Sequence, residues 1–277
     1  MALWYDEVFE NSLRCGLKVK RTLFSDQSAF QRVEIVETEL LGKALALDGL
    51  WMTAQGDEKT YHEMLVHPVM TTSPSIRRVL IIGGGDGGTA REVLRYPEVE
   101  HVDLVEIDGM VVDACKEFLP EIGSAWDDAR LHVHIDDGIK WSRRTDVAPY
   151  DVIIIDGSDP VGPAQGLFDL EFYQGCENLL ADDGVFVTQS ESPVLFRDVH
   201  LDMIRVMKGT FKNVHPYYGT VTIYPGGSWS WTYASKSVSP RDIIRERVDF
   251  ISEFTEIYNE DIHHGAFAIP NHIRRAL

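Results

Sequence analysis

The texture of the chain changes at Arg78. Beyond it, short apolar runs at 79–82, 102–105, 131–135, 152–155 and 185–188 alternate with helical stretches near 87–95, 110–119 and 169–180. Apolar strands separated by helices predict an α/β architecture, a parallel sheet covered on both faces. A further helix is expected near 197–211. The pattern then returns to strands at 221–224 and 229–234, with Pro225-Gly226-Gly227 as the turn between them. Before Arg78, residues 33–37 alternate apolar and polar, and 44–47 and 50–53 flank Asp48-Gly49, a tight-hairpin dipeptide. Residues 17–53 therefore predict a small antiparallel N-terminal β domain, too small to bury a sizeable core alone. Residues 57–71 predict a helix with Tyr61, Met64, Leu65 and Val69 on one stripe. The domain boundary is expected between residues 55 and 56.

Composition narrows the partners. With 26 Lys and Arg against 44 Asp and Glu, the 277-residue chain has a formal net charge of −18. A phosphate-binding surface needs a basic patch, so nucleic acid is disfavoured, and an anionic membrane would repel the chain. The three cysteines, Cys15, Cys115 and Cys176, are far apart, which argues against a disulfide framework and a thiolate zinc site. The first residues lack a basic n-region and an apolar h-region, and no apolar run has transmembrane length. A soluble, cytoplasmic protein is the expectation.

The strand at 79–82 runs directly into Gly83-Gly84-Gly85-Asp86-Gly87-Gly88, and a helix follows. Glycines at such a turn let the backbone approach a ligand closely. Gly83, Gly85 and Gly88 satisfy the dinucleotide pattern GxGxxG; Gly83, Gly85 and Gly87 satisfy the GxGxG of adenosylmethionine-type enzymes. Asp86 separates the two better than the glycines do. It would repel a pyrophosphate lying over the loop and attract an ammonium or sulfonium. Eighteen residues after Gly88, Glu106 ends the next strand, where a carboxylate accepts hydrogen bonds from ribose hydroxyls.

Ligands of open α/β sheets bind beyond the carboxyl ends of the strands. Those ends carry Asp86, Glu106, Asp136-Asp137-Gly138 and Asp156-Gly157-Ser158-Asp159-Pro160. Any one of these acids could be a helix cap; four on consecutive strands point to a crevice. The stretch 157–168 has the composition of a loop that closes over a site. Paired carboxylates suit a polyamine or a divalent metal, but no His/Asp ligand spacing or phosphate-binding lysine accompanies them, so no metal is expected.

Together Tyr61-His62-Glu63, Gly83-Gly84-Gly85-Asp86-Gly87, Val105-Glu106-Ile107-Asp108 and Asp156 through Pro163 resemble the polyamine aminopropyltransferases, the spermidine synthase family. The likeness extends from Gln31 and Ala46-Leu47-Asp48-Gly49 to Tyr224-Pro225-Gly226-Gly227 and Trp229-Ser230, nearly the whole chain. It implies a methyltransferase-like Rossmann fold behind a small N-terminal antiparallel β domain. It implies decarboxylated S-adenosylmethionine as co-substrate, putrescine as usual acceptor, no metal or other cofactor, and a homodimer or higher homo-oligomer. By resemblance Gln31, Gly83, Gly85, Glu106, Asp137, Gly138 and Pro163 hold the nucleoside, and Asp86 holds the aminopropyl ammonium. Tyr61, His62, Asp159 and Tyr224 line the amine channel, Trp229 packs on its methylenes, and Asp156 is the base. Without the resemblance, His62 reads as a structural histidine and Tyr61, Tyr224 and Trp229 as core or interface aromatics.

Other readings share some of these features. A small-molecule methyltransferase has the same loop but must seat a donor carboxylate near Asp86. A dinucleotide-dependent dehydrogenase meets the objection of Asp86 itself, and a silent polyamine-binding module has no use for Asp156. The acceptor stays open among putrescine, cadaverine, agmatine and spermidine.

Overall fold

The computed structural model describes residues 3–9, 12–158 and 166–277. The N-terminal part is a five-stranded antiparallel meander: β1 (Leu3–Phe9), β2 (Leu13–Gln27), β3 (Arg32–Thr38), β4 (Lys43–Leu47) and β5 (Leu50–Ala54). Asp48 and Gly49 have φ of 48° and 89°, the left-handed pair that a two-residue hairpin between β4 and β5 requires. The sheet is longer than its apolar pattern predicts. β1 and the first half of β2 mix polar and apolar side chains, and only Glu7 and Val19 among them are buried, so no clean apolar alternation marks them.

After α1 (Glu58–Met70) the chain builds β6 (Arg78–Gly83), α2 (Gly88–Leu94), β7 (His101–Glu106), α3 (Gly109–Phe118), β8 (Leu131–Ile135) and α4 (Gly138–Trp141). Then come β9 (Tyr150–Asp156), α5 (Leu170–Leu179), β10 (Leu180–Gln189), α6 (Arg197–Lys208), β11 (Asn213–Thr220) and β12 (Ser228–Ser235). Three short helices follow: α7 (Arg245–Ser252), α8 (Glu260–Ala266) and α9 (Asn271–Arg274). The seven strands lie in the order β11-β12-β10-β9-β6-β7-β8; β8 through β10 are parallel, and β12 and β11 extend the edge antiparallel. Alternate residues of each apolar run enter different cores. Val79 and Ile81 pack with α1 and α2, whereas Leu80 and Ile82 pack with α4, α5 and α6. The fold is the α/β, Rossmann-like sheet with an N-terminal antiparallel sheet that the sequence predicts.

The small sheet does not carry its own core. Val33, Ile35 and Leu45 bury against Val111, Ala114 and Cys115 of α3, while Val36, Ala44 and Trp51 join Tyr61, Met64 and Leu65 of α1. Helix α1 is consequently buried on nearly every side, not along one stripe only.

The pattern at 221–224 misleads. These residues form a turn, and the strand expected there is β11, ending at Thr220. Val221 and Ile223 alternate because they are buried in the turn, whose Ile223 N–H is held by the Asp57 carboxylate at 2.7 Å. Among the described residues no helix is long and apolar enough to cross a membrane.

Candidate active site

The strand order reverses between β6 and β9: the chain runs outward through β7 and β8, then returns to β9 and β10. A cleft opens at such a switch point, beyond the carboxyl ends of the strands. Here it is lined by Asp86, Glu106, Asp137 and Asp156 together with Gln31, Tyr61, His62, Tyr224 and Trp229. Gly83, Gly85 and Gly138 line it too. Asp159 and Pro163 lie outside the described residues, as does most of the loop between 157 and 168.

One end of the cleft is made mostly of backbone and strand termini. Gly83 pairs in register with Asp156, and the Gly84 N–H donates to the Asp156 carbonyl at 3.0 Å. A Cβ on Gly83 would lie 2.2 Å from that carbonyl oxygen, and its φ of 84° also requires glycine. The Glu106 carboxylate sits against Gly85 and accepts the Asp108 N–H at 3.0 Å. Burial, reinforced by the charge of Asp108, outweighs that bond and pushes the Glu106 carboxyl up to about 7. Asp137 caps α4, accepting the Ile139 N–H at 2.8 Å, and still lines the cleft. Gln31 reaches across from the N-terminal sheet and donates to Asp108 at 3.0 Å, which ties the two sheets together beside Glu106.

The other end is made of side chains. Tyr61 donates to Asp156 Oδ1 at 2.8 Å and Thr89 to Oδ2 at 2.7 Å. Burial pushes the Asp156 carboxyl above the usual carboxylate range, aided by the charge of Asp86 and opposed by His62 and these two donors. Asp86 goes the other way. Burial is outweighed by the His62 charge, the His62 hydrogen bond and the Gly88 N–H at 2.9 Å, so its carboxyl is held below the ordinary range. His62 lies between two acids, Nδ1 at 2.6 Å from Glu58 and Nε2 at 3.3 Å from Asp86. Burial alone would push the ring down; the two carboxylates hold it well above the usual histidine value.

The aromatic wall comes from distant parts of the chain. The Tyr224 ring lies 5.8 Å from Tyr61 and 4.4 Å from Trp229, and its hydroxyl donates to the Met52 carbonyl at 2.8 Å. Sequence reasoning missed several neighbours. Glu7 of β1 lines the cleft and accepts the Trp51 N–H at 3.1 Å; only sheet pairing brings it there, and no local signal marks it. Gln189 ends β10 and was findable by the strand-end rule that singled out the acids. Thr89, in the first turn after the glycine loop, was findable by position.

The ligand atoms of His62, Asp86 and Asp156 lie within 4.8 Å of one another, close enough to hold an ion. His62 Nδ1 is engaged with Glu58, and Nε2 faces Asp86.

A Rossmann-type sheet with a glycine loop and carboxylates gathered beyond its strand ends places the chain among the adenosylmethionine-type enzymes in architecture. The chain belongs to the spermine/spermidine synthase family, a family of aminopropyltransferases: the family's synthase domain matches residues 58–242, and its spermidine synthase tetramerisation domain matches residues 3–55. A polyamine aminopropyltransferase of Prochlorococcus marinus (strain MIT 9313) is 47% identical over 99% of this chain and 96% of its own length. One from Clostridioides difficile (strain 630) is 40% identical over 100% of this chain and 99% of its own. Among solved structures, a spermidine synthase in complex with the transition-state analogue AdoDATO superposes with a TM-score of 0.96 at 40% identity, covering 99% of this chain and 94% of that one. The spermidine synthase from Thermotoga maritima gives 0.94 at 40% identity over the same shares.

Proposed function

We propose that the chain transfers the aminopropyl group of decarboxylated S-adenosylmethionine to putrescine, yielding spermidine and 5'-methylthioadenosine, with Asp156 as the base. The observation that carries this reading is the opposed state of two neighbouring carboxylates. Asp86 stays ionised and suits a permanent cation, whereas Asp156 has the raised affinity for a proton that a base requires. Glu106, Gln31, Asp137, Gly83, Gly85 and Gly138 hold the nucleoside; Asp86 receives the aminopropyl ammonium. Tyr61, His62, Tyr224 and Trp229 line the path of the amine. Pro163 and Asp159 complete these two sets on the strength of the family likeness alone.

The reaction is an in-line displacement. The neutral amine nitrogen attacks the propyl carbon next to sulfur, the C–S bond breaks with its electron pair going to sulfur, and a neutral thioether leaves. The leaving group is already cationic, so the step needs no Lewis acid. Charge is the obstacle on the acceptor. Freeing the lone pair of an amine of pKa ~10.4 at neutral pH costs about 4.6 kcal/mol. A sulfonium ~4 Å away offsets much of that, repelling an ammonium by roughly 4 kcal/mol at an effective dielectric of about 20. Asp156 receives the proton and orients the nitrogen, and Tyr61, whose hydroxyl is held well above its ordinary value by burial and by the Asp156 charge, stays protonated as its donor.

In the same reading residues 1–55 assemble a homo-oligomer and residues 56–277 carry the chemistry, in the cytoplasm and without a resident metal. Mass spectrometry of products from the decarboxylated donor, offered with putrescine, cadaverine, agmatine and spermidine in turn, tests the assignment. Spermidine and methylthioadenosine in equal amounts from putrescine are expected. Methyl transfer from intact S-adenosylmethionine, or no product with any amine, would overturn it.

A further inference from the structure

Beneath the cleft lies a buried set of charges that touches no substrate space. Arg91 of α2 grips Glu58 of α1 with two parallel hydrogen bonds, Nη1 to Oε1 at 3.0 Å and Nη2 to Oε2 at 2.8 Å. The same guanidinium binds Glu92 at 2.7 Å and the Ile122 carbonyl at 2.9 Å. Glu58 is 5% exposed, Arg91 8% and His62 1%, and neither Glu58 nor Arg91 lines the cleft. Such a network is costly unless each member is satisfied, and here each of these two is.

Its geometry bears directly on the state of His62. A carboxylate held by a bidentate guanidinium is an acceptor only, so the ring nitrogen 2.6 Å from Glu58 carries a proton. Asp86 accepts the Gly88 N–H through Oδ1 and presents Oδ2 to the other ring nitrogen at 3.3 Å, a carboxylate partner for a second ring proton. The ring packs directly on Gly88, where an added Cβ would lie 2.3 Å from it.

Resting on the aminopropyl-transfer reading above, we propose that Glu58 and Arg91 are positioning residues that hold His62 as an imidazolium on Asp86, thereby dedicating Asp86 to the donor's ammonium and leaving Asp156 as the one carboxylate that takes the acceptor's proton. Without the imidazolium, two acids in one pocket would share a proton between them, and the roles of cation seat and base would blur. Facing the ring are Glu58, Asp57 and Tyr61 on its own helix, Asp86 on the glycine loop, Arg91 on α2 and Asp156 at the end of β9. The acids outnumber the single guanidinium, which favours the charged ring over the neutral one.

The test is a nitrogen-15 NMR titration of the histidine rings in the whole, substrate-free protein, with His62→Gln to assign the signal. The wild-type His62 ring is expected to keep both protons at pH 8, and Glu58→Gln to bring its titration down by at least one pH unit. A wild-type ring that loses a proton below pH 7, or a titration that Glu58→Gln leaves in place, overturns the proposal. In turnover assays Glu58→Gln is expected to raise the donor KM about tenfold, leave the acceptor KM within about twofold, and move the alkaline limb of the pH profile down. Arg91→Lys, which keeps the charge but not the fork, gives a smaller shift in the same direction. A uniform loss of kcat with an unmoved pH profile would mark the pair as merely structural. The titration requires no turnover. If it behaves as expected while no methylthioadenosine forms, the histidine assignment stands and the aminopropyl-transfer reading falls.

Discussion

The two ends of the cleft are built on different plans. At the end proposed for the nucleoside the lining groups are strand termini, loop backbone and helix caps: Gly83 to Gly85, Glu106, Asp137 and Gly138. At the end proposed for the amine they are side chains assembled from α1, the glycine loop, β9 and the turn at 221–227. The first plan needs only that the strands pair in register, since each acid follows its strand to the same edge of the sheet. The second needs packed elements to hold long side chains at set angles. Helix α1 does much of this holding. Asp57 anchors the turn that carries Tyr224, Tyr61 and His62 enter the cleft, and the Glu63 carboxylate accepts the N–H groups of Glu256, Ile257 and Tyr258. Function at one end therefore tracks the sheet, and at the other the packing of a single helix.

The sharpest test of that contrast is Asp156→Asn. The amide keeps one acceptor oxygen and turns an NH2 to the other hydroxyl, which must then accept instead of donate, and it takes no proton, so turnover is expected to fall about 10³-fold. Methylthioadenosine affinity, a property of the other end, should stay within a few-fold by calorimetry. Stability moves the opposite way to activity. The folded carboxyl binds its proton more tightly than the unfolded one, so its contribution is full below the unfolded value and is lost as pH rises through the folded value. At neutral pH the ionised group costs stability; the amide removes that cost, and the melting temperature is expected to hold or rise.

Gly88→Ala comes next. Its methyl would press on the His62 ring, destabilising the protein by about 1–3 kcal/mol by thermal unfolding and lowering turnover more than nucleoside binding. Glu106→Gln is the mirror of the Asp156 variant. Losing a charged acceptor of the ribose hydroxyls, worth about 1.5–3 kcal/mol for each hydrogen bond, should weaken methylthioadenosine roughly 10- to 100-fold. In the wild type, with the Glu106 carboxyl pushed up to about 7, binding below that pH must release a proton. Affinity is then expected to fall by as much as tenfold per unit on going acid of 7, and the Gln variant to lose that slope. The smallest effect is Tyr224→Phe, which removes the bond to Met52 and should raise the acceptor KM about fivefold, near 1 kcal/mol. Equal losses at both ends from any one of these variants would break the contrast.

Legibility in the sequence follows the same division. The strand-end acids Asp86, Glu106, Asp137 and Asp156 were readable because one topological rule places all four, and the glycine loop announced where the series begins. His62, Tyr61, Tyr224 and Trp229 were not: their spacing fits a buried helix and a core equally well, and only the family likeness marked them. Glu58 and Arg91 were invisible, since a salt bridge across two helices leaves no periodic trace. The turn at 221–224 shows the converse error, where Val221 and Ile223, buried in a turn, alternate as in a strand without forming one.

The pairing of Gly83 with Asp156 has a consequence for how this enzyme could change. Neighbouring strands sit ~4.8 Å apart, and slipping one by a single residue turns every side chain to the opposite face. The gap between the proton acceptor and the loop beneath the donor is thus set by interstrand spacing, a length that substitution of either side chain leaves untouched. In the proposed reaction, acceptors of different reach would have to be accommodated farther along the groove, while the reacting atoms meet at the same mark on an unchanging ruler.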